Sequence, residues 1–318
     1  MLMLKDFFGS LFVLLYTFGY MSEAIGTQQP EEVINRVRPE HQSVQRFEGG
    51  DNRDVFVVDG VEAFRFPKNE SGVEANRYEF EALKLVYGKL SVAVPRPIEL
   101  APDGSYNVLE FLRGNVLRKH EVTELPFEKR RDLGVVLAGV INELNSVVAV
   151  DELAAIQPER SLVRNRDEYY AQVYETARQQ DTKFAAAYRE NYERVRQIRP
   201  DGSASNVIVF GDLGSLNLVL SNDNELIGVI DWTDLGLGDI HNELRPVFSV
   251  IGQEAFEVMV AAINPGLGPI NQDLVRTLAA MHELAILVNG KQRGQLTPER
   301  TKLAVDSLDQ WLGEGWAA

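Results

Sequence analysis

The polar and apolar positions change their period along the chain. "VFVVDG" (Val55–Gly60) and "VEAFRF" (Val61–Phe66) are β-branched and aromatic runs joined at Asp59-Gly60, a pair suited to a tight hairpin turn. They predict two strands, and "YNVLEFL" (Tyr106–Leu112) predicts a third. Between them, "ANRYEFEALKLVYGKL" sets Tyr78, Ala82, Leu85 and Val86 at helical spacing, and "VPRP" (Val94–Pro97) breaks the chain before the third strand. Further on the helical period dominates. Leu133, Val136, Leu137, Val140, Ile141 and Leu144 form one face of a helix over 126–148. In 160–197 the stripe Tyr169, Val173, Tyr174 and Ala177 predicts helices packed on one side. The region 199–240 is strand-rich, and 251–262, 271–289 and 298–312 predict terminal helices. A mixed lobe followed by a mostly helical one is an α+β plan. We expect an N-terminal lobe over 21–112 and a helical C-terminal lobe over 113–318.

Composition narrows the function classes. There is no cysteine, which excludes disulfides, thiolate metal sites and a cysteine nucleophile. The 47 acidic and 32 basic residues give a net charge of -15, against the basic face that a nucleic-acid partner needs. That balance suits a cationic small molecule, with solubility alone as the more ordinary reading. The apolar fraction of 45% and charged fraction of 25% are ordinary for a globular chain, and a cytoplasmic location is expected. "FFGSLFVLLYTFGYM" (Phe7–Met21) falls short of the ~20 residues of a membrane helix. No small-x-small cleavage site follows it. We expect translation to start at Met21, with residues 1–20 an upstream apolar extension and no membrane partner; a membrane anchor is the alternative.

The run "VFGDLGSLNLVL" (Val209–Leu220) carries Asp212 and Asn217 among apolar and small residues, and Asp231 ends the next apolar run. Val207–Phe210 and Leu218–Leu220 predict short strands, "SNDNE" (Ser221–Glu225) a turn, and Leu226–Ile230 the returning strand. A turn centred on residue 224 sets Asn217 opposite Asp231, with Cα atoms roughly 4.5–5.5 Å apart. Asp212 enters the same end. Two carboxylates and a carboxamide form a site for a hard cation, and Mg²⁺ favours one or two carboxylates plus phosphate oxygens. With Asn217 and Asp231 on the metal, Asp212 is free to take a proton from an attacking hydroxyl, the division of labour that phosphoryl transfer needs. The alternative is a loop whose Asp and Asn residues only form turns.

"FGDLGSLNLVL…GVIDWTDLGLGD" resembles the H-G-D-x-x-x-x-N and I-D-[FW] motifs of the aminoglycoside phosphotransferases and their kinase-like relatives. The resemblance runs over about residues 30–312 and implies a protein-kinase-like two-lobe fold, with a small β-rich N-lobe and a mostly helical C-lobe. It implies an ATP- or GTP-dependent enzyme that moves the γ-phosphate to an alcohol group of a small molecule. It makes Asp212 the catalytic base and Asn217 and Asp231 the Mg²⁺ ligands. "EGGDNRDVFVVDGVEAFRFPK" resembles the family's nucleotide loop and third strand. Gly49, Gly50 and Asn52 then lie at the phosphates. Arg65, or alternatively Lys68, contacts phosphate oxygens, and Glu79, or alternatively Glu81, is its acidic partner. "VLEFLRG" resembles the hinge, so backbone groups at Glu110 and Leu112 receive the purine. Four positions depart from the pattern. Phe210 stands for the usual histidine, which bears on loop geometry more than on chemistry. Leu216 precedes Asn217, Asn145 takes a frequent histidine's place, and Glu243 that of a common aspartate.

No P-loop or G-x-G-x-x-G motif occurs, and His41, His120, His241 and His282 have no zinc-ligand spacing. Asp239 reads as a helix-capping or loop-ordering residue and His241 as structural. The leading acceptor is an aminoglycoside-like polycation, with a macrolide, amino sugar or amino alcohol as alternatives. The competing function is a kinase-like module that binds nucleotide without turnover. A protein kinase is disfavoured, because no A-P-E-like activation segment follows Asp231.

Overall fold

Asp59 and Gly60 both adopt left-handed backbone (φ 52° and 65°), and the Val61 N–H donates back to the Val58 carbonyl, so the hairpin turn read from the sequence is formed. The structure, a computed structural model, describes residues 29–47, 53–156, 166–199, 206–313 and 316. In chain order these form α1 (Pro30–Val37), β1 (Val44–Phe47), β2 (Arg53–Val58), β3 (Glu62–Pro67), α2 (Glu70–Val86), β4 (Pro97–Leu100) and β5 (Asn107–Glu110). The helices α3 (Lys119–Thr123), α4 (Phe127–Val147), α5 (Val150–Ile156), α6 (Asp167–Arg178) and α7 (Lys183–Ile198) follow. Then come β6 (Asn206–Val209), β7 (Leu218–Leu220), β8 (Leu226–Val229) and β9 (Gly236–Asp239). The chain ends in α8 (Ile240–Ile251), α9 (Gln253–Ala262), α10 (Gln272–Gln292) and α11 (Pro298–Leu312). No single helix among the described residues is long and apolar enough to cross a membrane.

The described residues fall into two compact units: those of 1–115, 147–159 and 219–235, and those of 116–146, 160–218 and 236–318. The first unit holds an antiparallel sheet of order β1-β2-β3-β5-β4. Alternation gives the sheet two faces. On one, Phe56, Val58, Phe64, Phe66, Tyr106 and Val108 bury against Val33 and Ile34 of α1. The pairings Val55↔Arg65 and Arg65↔Asn107 put Arg53, Arg65 and Asn107 on the other face. There α2 packs: Asn76 Nδ2 donates to the Arg65 carbonyl, and Asn107 Nδ2 to the Asn76 carbonyl. α2 begins earlier than its apolar pattern alone indicates, because the Asn69 side chain caps it by accepting from Gly72 N–H at 2.8 Å. Its buried positions are Tyr78, Glu79, Ala82, Leu83 and Val86, with Leu83 rather than Leu85 in the core.

In the second unit α4 buries Leu133, Leu137, Val140, Ile141 and Leu144, while Val136 is exposed. The buried stripe of α6 keeps Val173 and Ala177 of the expected one, with Tyr170 in place of Tyr169. Tyr174 instead meets Tyr192 of α7, ring centroids 4.5 Å apart. β9 was not foreseen. It pairs antiparallel with β6, and Gly238 is required there because a Cβ would lie 2.7 Å from Val209 Cγ2.

Candidate active site

The polar residues of the first unit form one buried network on the α2 face of the sheet. Glu79, fully buried, accepts from Arg53 Nη1 at 3.0 Å and pairs with Arg65 Nη1. It also accepts from the Trp232 N–H at 3.2 Å and from Thr233 Oγ1 at 3.5 Å. Asp231 Oδ1 lies 3.7 Å from both Arg53 Nη1 and Arg65 Nη2, and accepts from Thr233 Oγ1 at 2.6 Å. Arg53 Nη2 also donates to Thr233 Oγ1, at 2.9 Å. Two guanidiniums thus meet two carboxylates. Burial and the neighbouring Arg65 lower the pKa of Arg53. Burial also opposes charge on Arg65, yet Glu79 and Asp231 outweigh it and raise its pKa. Burial would lift the Asp231 carboxyl, but Arg65 and Arg53 hold it below the ordinary range. Asp231 takes left-handed backbone (φ 64°), a conformation that Asp tolerates better than most non-glycine residues. Tyr78 Oη, on the same helical turn as Glu79, donates to the Leu235 carbonyl at 2.5 Å and ties down the segment after Asp231.

The alternatives lie elsewhere: Lys68 is 41% exposed beside Asp54, and Glu81 pairs with Lys84 on the surface. Gly49, Gly50 and Asn52 lie outside the described residues. At the hinge, Glu110 N–H donates to Arg96 O and Phe111 N–H to Val61 O. The N–H and C=O of Leu112 make no hydrogen bond among the described residues. Arg53 and Thr233 escaped the sequence reading. Arg53 lies in a polar run that ends at Asp54 and reads as loop, and only the strand register places it two positions from Val55 on the Arg65 face.

In the second unit the loop after β6 carries Asp212 and Asn217. Asn217 Nδ2 donates to both the carbonyl and the carboxylate of Asp212, at 2.8 and 3.1 Å. The Asn217 N–H donates to Gly214 O, closing the short 3-10 turn Ser215–Asn217. The loop is held through its main chain. Glu243 of α8 accepts from Phe210 N–H at 2.9 Å and Gly211 N–H at 2.8 Å, one on each carboxylate oxygen. Arg166 Nη2 donates to the Gly211 carbonyl at 2.9 Å. Gly211 has φ 95°, which a side chain would strain. Upstream, Asn145 brackets Ile208, donating to its carbonyl and accepting from its N–H, both at 2.8 Å. The Phe210 ring is wholly buried. The three departures at 145, 210 and 243 therefore still fix the loop, by backbone contacts instead of a histidine.

Burial raises the Glu243 carboxyl from 4.5 to about 7; the two N–H donors pull against this, and the Asp212 charge adds to it. Asp239 caps α8 through the His241 N–H. It also takes His241 Nδ1 at 2.8 Å and pairs with Arg199, while His241 Nε2 accepts from Asn271 N–H. Both ring nitrogens are used, so His241 is structural as expected.

One register expectation fails. Ser221 N–H donates to Glu225 O and Asn224 N–H to Ser221 O, with Asn224 left-handed. The turn is therefore centred a residue earlier than expected. Asn217 sits in the 3-10 turn, Asp231 lies beyond the end of β8, and neither is a strand residue.

The architecture and these polar networks define an α+β, protein-kinase-like fold, with a small β-rich N-terminal lobe and a mostly helical C-terminal lobe. The profile of the phosphotransferase enzyme family (APH) matches residues 43–269, and the chain belongs to this family. Among solved structures it is similar to APH(2″)-IIIa in complex with GDP and kanamycin, with 18% identity and a TM-score of 0.73, covering 90% of this chain and 98% of that one. The APH(2″)-IIa ternary complex with streptomycin and ATP gives 16% identity and a TM-score of 0.60, with 89% and 97% covered. The macrolide 2′-phosphotransferase MphH from Brachybacterium faecium gives 20% and 0.57, with 87% and 97% covered. At such identities the likeness speaks for the fold. No curated protein matches the sequence.

Proposed function

We propose that the protein transfers the γ-phosphate of ATP or GTP to a hydroxyl of a small molecule. The observation that carries this reading is the grip of Asn217 on Asp212. Both amide hydrogens of Asn217 point to Asp212, which fixes the carboxylate and leaves Asn217 Oδ1 without a hydrogen-bond donor among the described residues. A neutral amide oxygen on Asn217 and an ionised carboxylate on Asp231 are a donor set of the kind Mg²⁺ takes. Asn217 and Asp231 hold the metal in this reading. When bound, Mg²⁺ would supply positive charge that offsets the charge of the nucleotide phosphates.

Asp212 accepts the proton of the acceptor hydroxyl as that oxygen bonds to the γ-phosphorus. The bond from phosphorus to the β–γ bridging oxygen breaks, and the nucleoside diphosphate leaves with the electron pair. Arg65, oriented by Glu79, meets phosphate oxygens, and Gly49, Gly50 and Asn52 lie along the phosphates. The unpartnered backbone of Leu112, with Glu110 beside it, receives the purine. In this reading residues 21–112 serve the nucleotide and 113–318 the acceptor, in a cytoplasmic setting where both nucleotides abound. The neighbours that hold kanamycin or streptomycin, and the macrolide phosphotransferase, make such antibiotics the first acceptors to try.

The test is transfer from labelled ATP and GTP with Mg²⁺ to a panel of hydroxyl acceptors. Asp212→Asn is expected to lose about 10²–10⁴-fold in rate while nucleotide binding, followed by calorimetry, stays. Nucleotide binding with no transfer to any acceptor, and background hydrolysis unchanged in Asp212→Asn, favours the binding-module alternative and refutes the enzyme.

A further inference from the structure

The net charge of -15 pointed to a cationic acceptor. The surroundings of Asp212 within the second unit point the other way. Arg245 of α8 is 3% exposed, and its Nε is buried with no hydrogen-bond partner. Nη1 reaches His282 Nδ1 of α10 at 3.0 Å. Among the described residues no carboxylate forms an ion pair with Arg245. His282 does not neutralise it, because an imidazole nitrogen that accepts from a guanidinium is uncharged. Burial, then Arg245, Arg166, Lys119 and Arg300, hold the His282 pKa well below its ordinary value.

The nearby carboxylates are occupied. Glu243 binds the Phe210 and Gly211 amides, and Glu283 pairs with Lys119. Asp167 and Asp239 share Arg199. Burial opposes the Arg245 charge most; Tyr170 favours it, Arg166 opposes it, and Asp212 and Tyr169 favour it. Burial and Tyr170 raise the Tyr169 pKa on α6, and the charges of Arg245, Arg166 and Arg293 pull against this. Arg166 is hydrogen-bonded to the Gly211 carbonyl of the Gly211–Asp212 loop, and its charge acts on Tyr169 of α6, Arg245 of α8 and His282 of α10.

A buried guanidinium without an anion is costly and persists where something else uses it. A planar fork is suited to the two oxygens of a carboxylate or phosphate. Resting on the phosphotransferase reading above, we propose that Arg245, with Arg166, receives an anionic group, carboxylate or phosphate, of the acceptor whose hydroxyl meets Asp212. The acceptor is then a hydroxy acid or a phosphorylated alcohol rather than a polycation.

The test is calorimetry on the full chain with ADP and Mg²⁺, using 4-hydroxybutyrate against 4-hydroxybutyramide, glycerol 3-phosphate against glycerol, and kanamycin. In each pair the anion is expected to bind about tenfold tighter or more, and Arg245→Met to erase the difference. Arg245→Lys keeps part of it and guards against a misfolded variant. With no ligand, Arg245→Met is expected to raise Tm by about 2 °C or more, since it removes an unpaired buried charge. Equal binding within each pair, no anion binding, tighter binding of kanamycin, a preference that survives Arg245→Met, or a fall in Tm overturns the proposal. An Arg245-dependent anion preference with no transfer from ATP or GTP overturns the phosphotransferase reading and leaves the anion site. Transfer to kanamycin or a neutral acceptor without anion preference does the reverse.

Discussion

Replacing Glu243 by glutamine tests how the loop before Asp212 is held. In the folded protein this carboxyl titrates at about 7 rather than 4.5, because burial outweighs the two backbone donors. The sign follows from proton counting. Between those two pH values the folded chain holds a proton that the unfolded chain has lost, so stability falls as pH rises. Each unit is worth about 1.4 kcal/mol, so the window from 4.5 to 7 carries about 3 kcal/mol, with level stretches on either side. Glutamine does not titrate. It keeps one acceptor for two N–H donors, which adds a pH-independent loss of about 1–3 kcal/mol. Other carboxylates contribute equally to both proteins and cancel. Urea unfolding of wild type and Glu243→Gln, followed by tryptophan fluorescence from pH 4.5 to 8, reads the difference directly. The wild-type advantage should shrink by about 3 kcal/mol across the window and then stay constant. A difference that is flat within about 0.5 kcal/mol, or that grows with pH, would mean that the two N–H donors dominate and would refute the reasoning.

Two further substitutions probe the networks on either side of the chemistry. Glu79→Gln leaves two buried arginines to Asp231 and should cost about 3–5 kcal/mol in urea unfolding; adding Arg53→Met should recover part of this, and strict additivity would count against the shared network. Asn145→Ala strips both partners from Ile208 and should cost about 2–4 kcal/mol, with faster hydrogen exchange at the Ile208 amide; unchanged exchange there would mean that solvent or a neighbour replaces the side chain.

The sequence made some of this legible and hid the rest for definite reasons. The Asp59-Gly60 hairpin and α4 were readable because turn chemistry and apolar period are local. The contacts between Arg65 and Glu79, and between Asn217 and Asp212, followed positions that a motif marks. Arg53 stayed hidden because its meaning depends on strand register, not on composition. β9 was missed because "GLGD" has no strand propensity; Gly238 is there because a Cβ would run into Val209. Val173 and Ala177 of the α6 stripe were legible from the period, but Tyr169 and Tyr170 are equally plausible core residues, and it is Tyr170 whose hydroxyl finds a partner, in Asn242. The charge balance located neither Arg166 nor Arg245, since an average over the chain carries no positions.

The placement of Glu79 has a consequence for how the first unit can move. Its carboxylate is wedged between guanidiniums that start on neighbouring strands and that repel each other when it leaves. Sliding α2 off the sheet would set those two cations face to face, and through Tyr78 would drag the stretch ending at Leu235 along. Strands, helix and the Asp231 segment therefore come apart together or stay together, and a half-opened form of this layer has no low-energy place to rest.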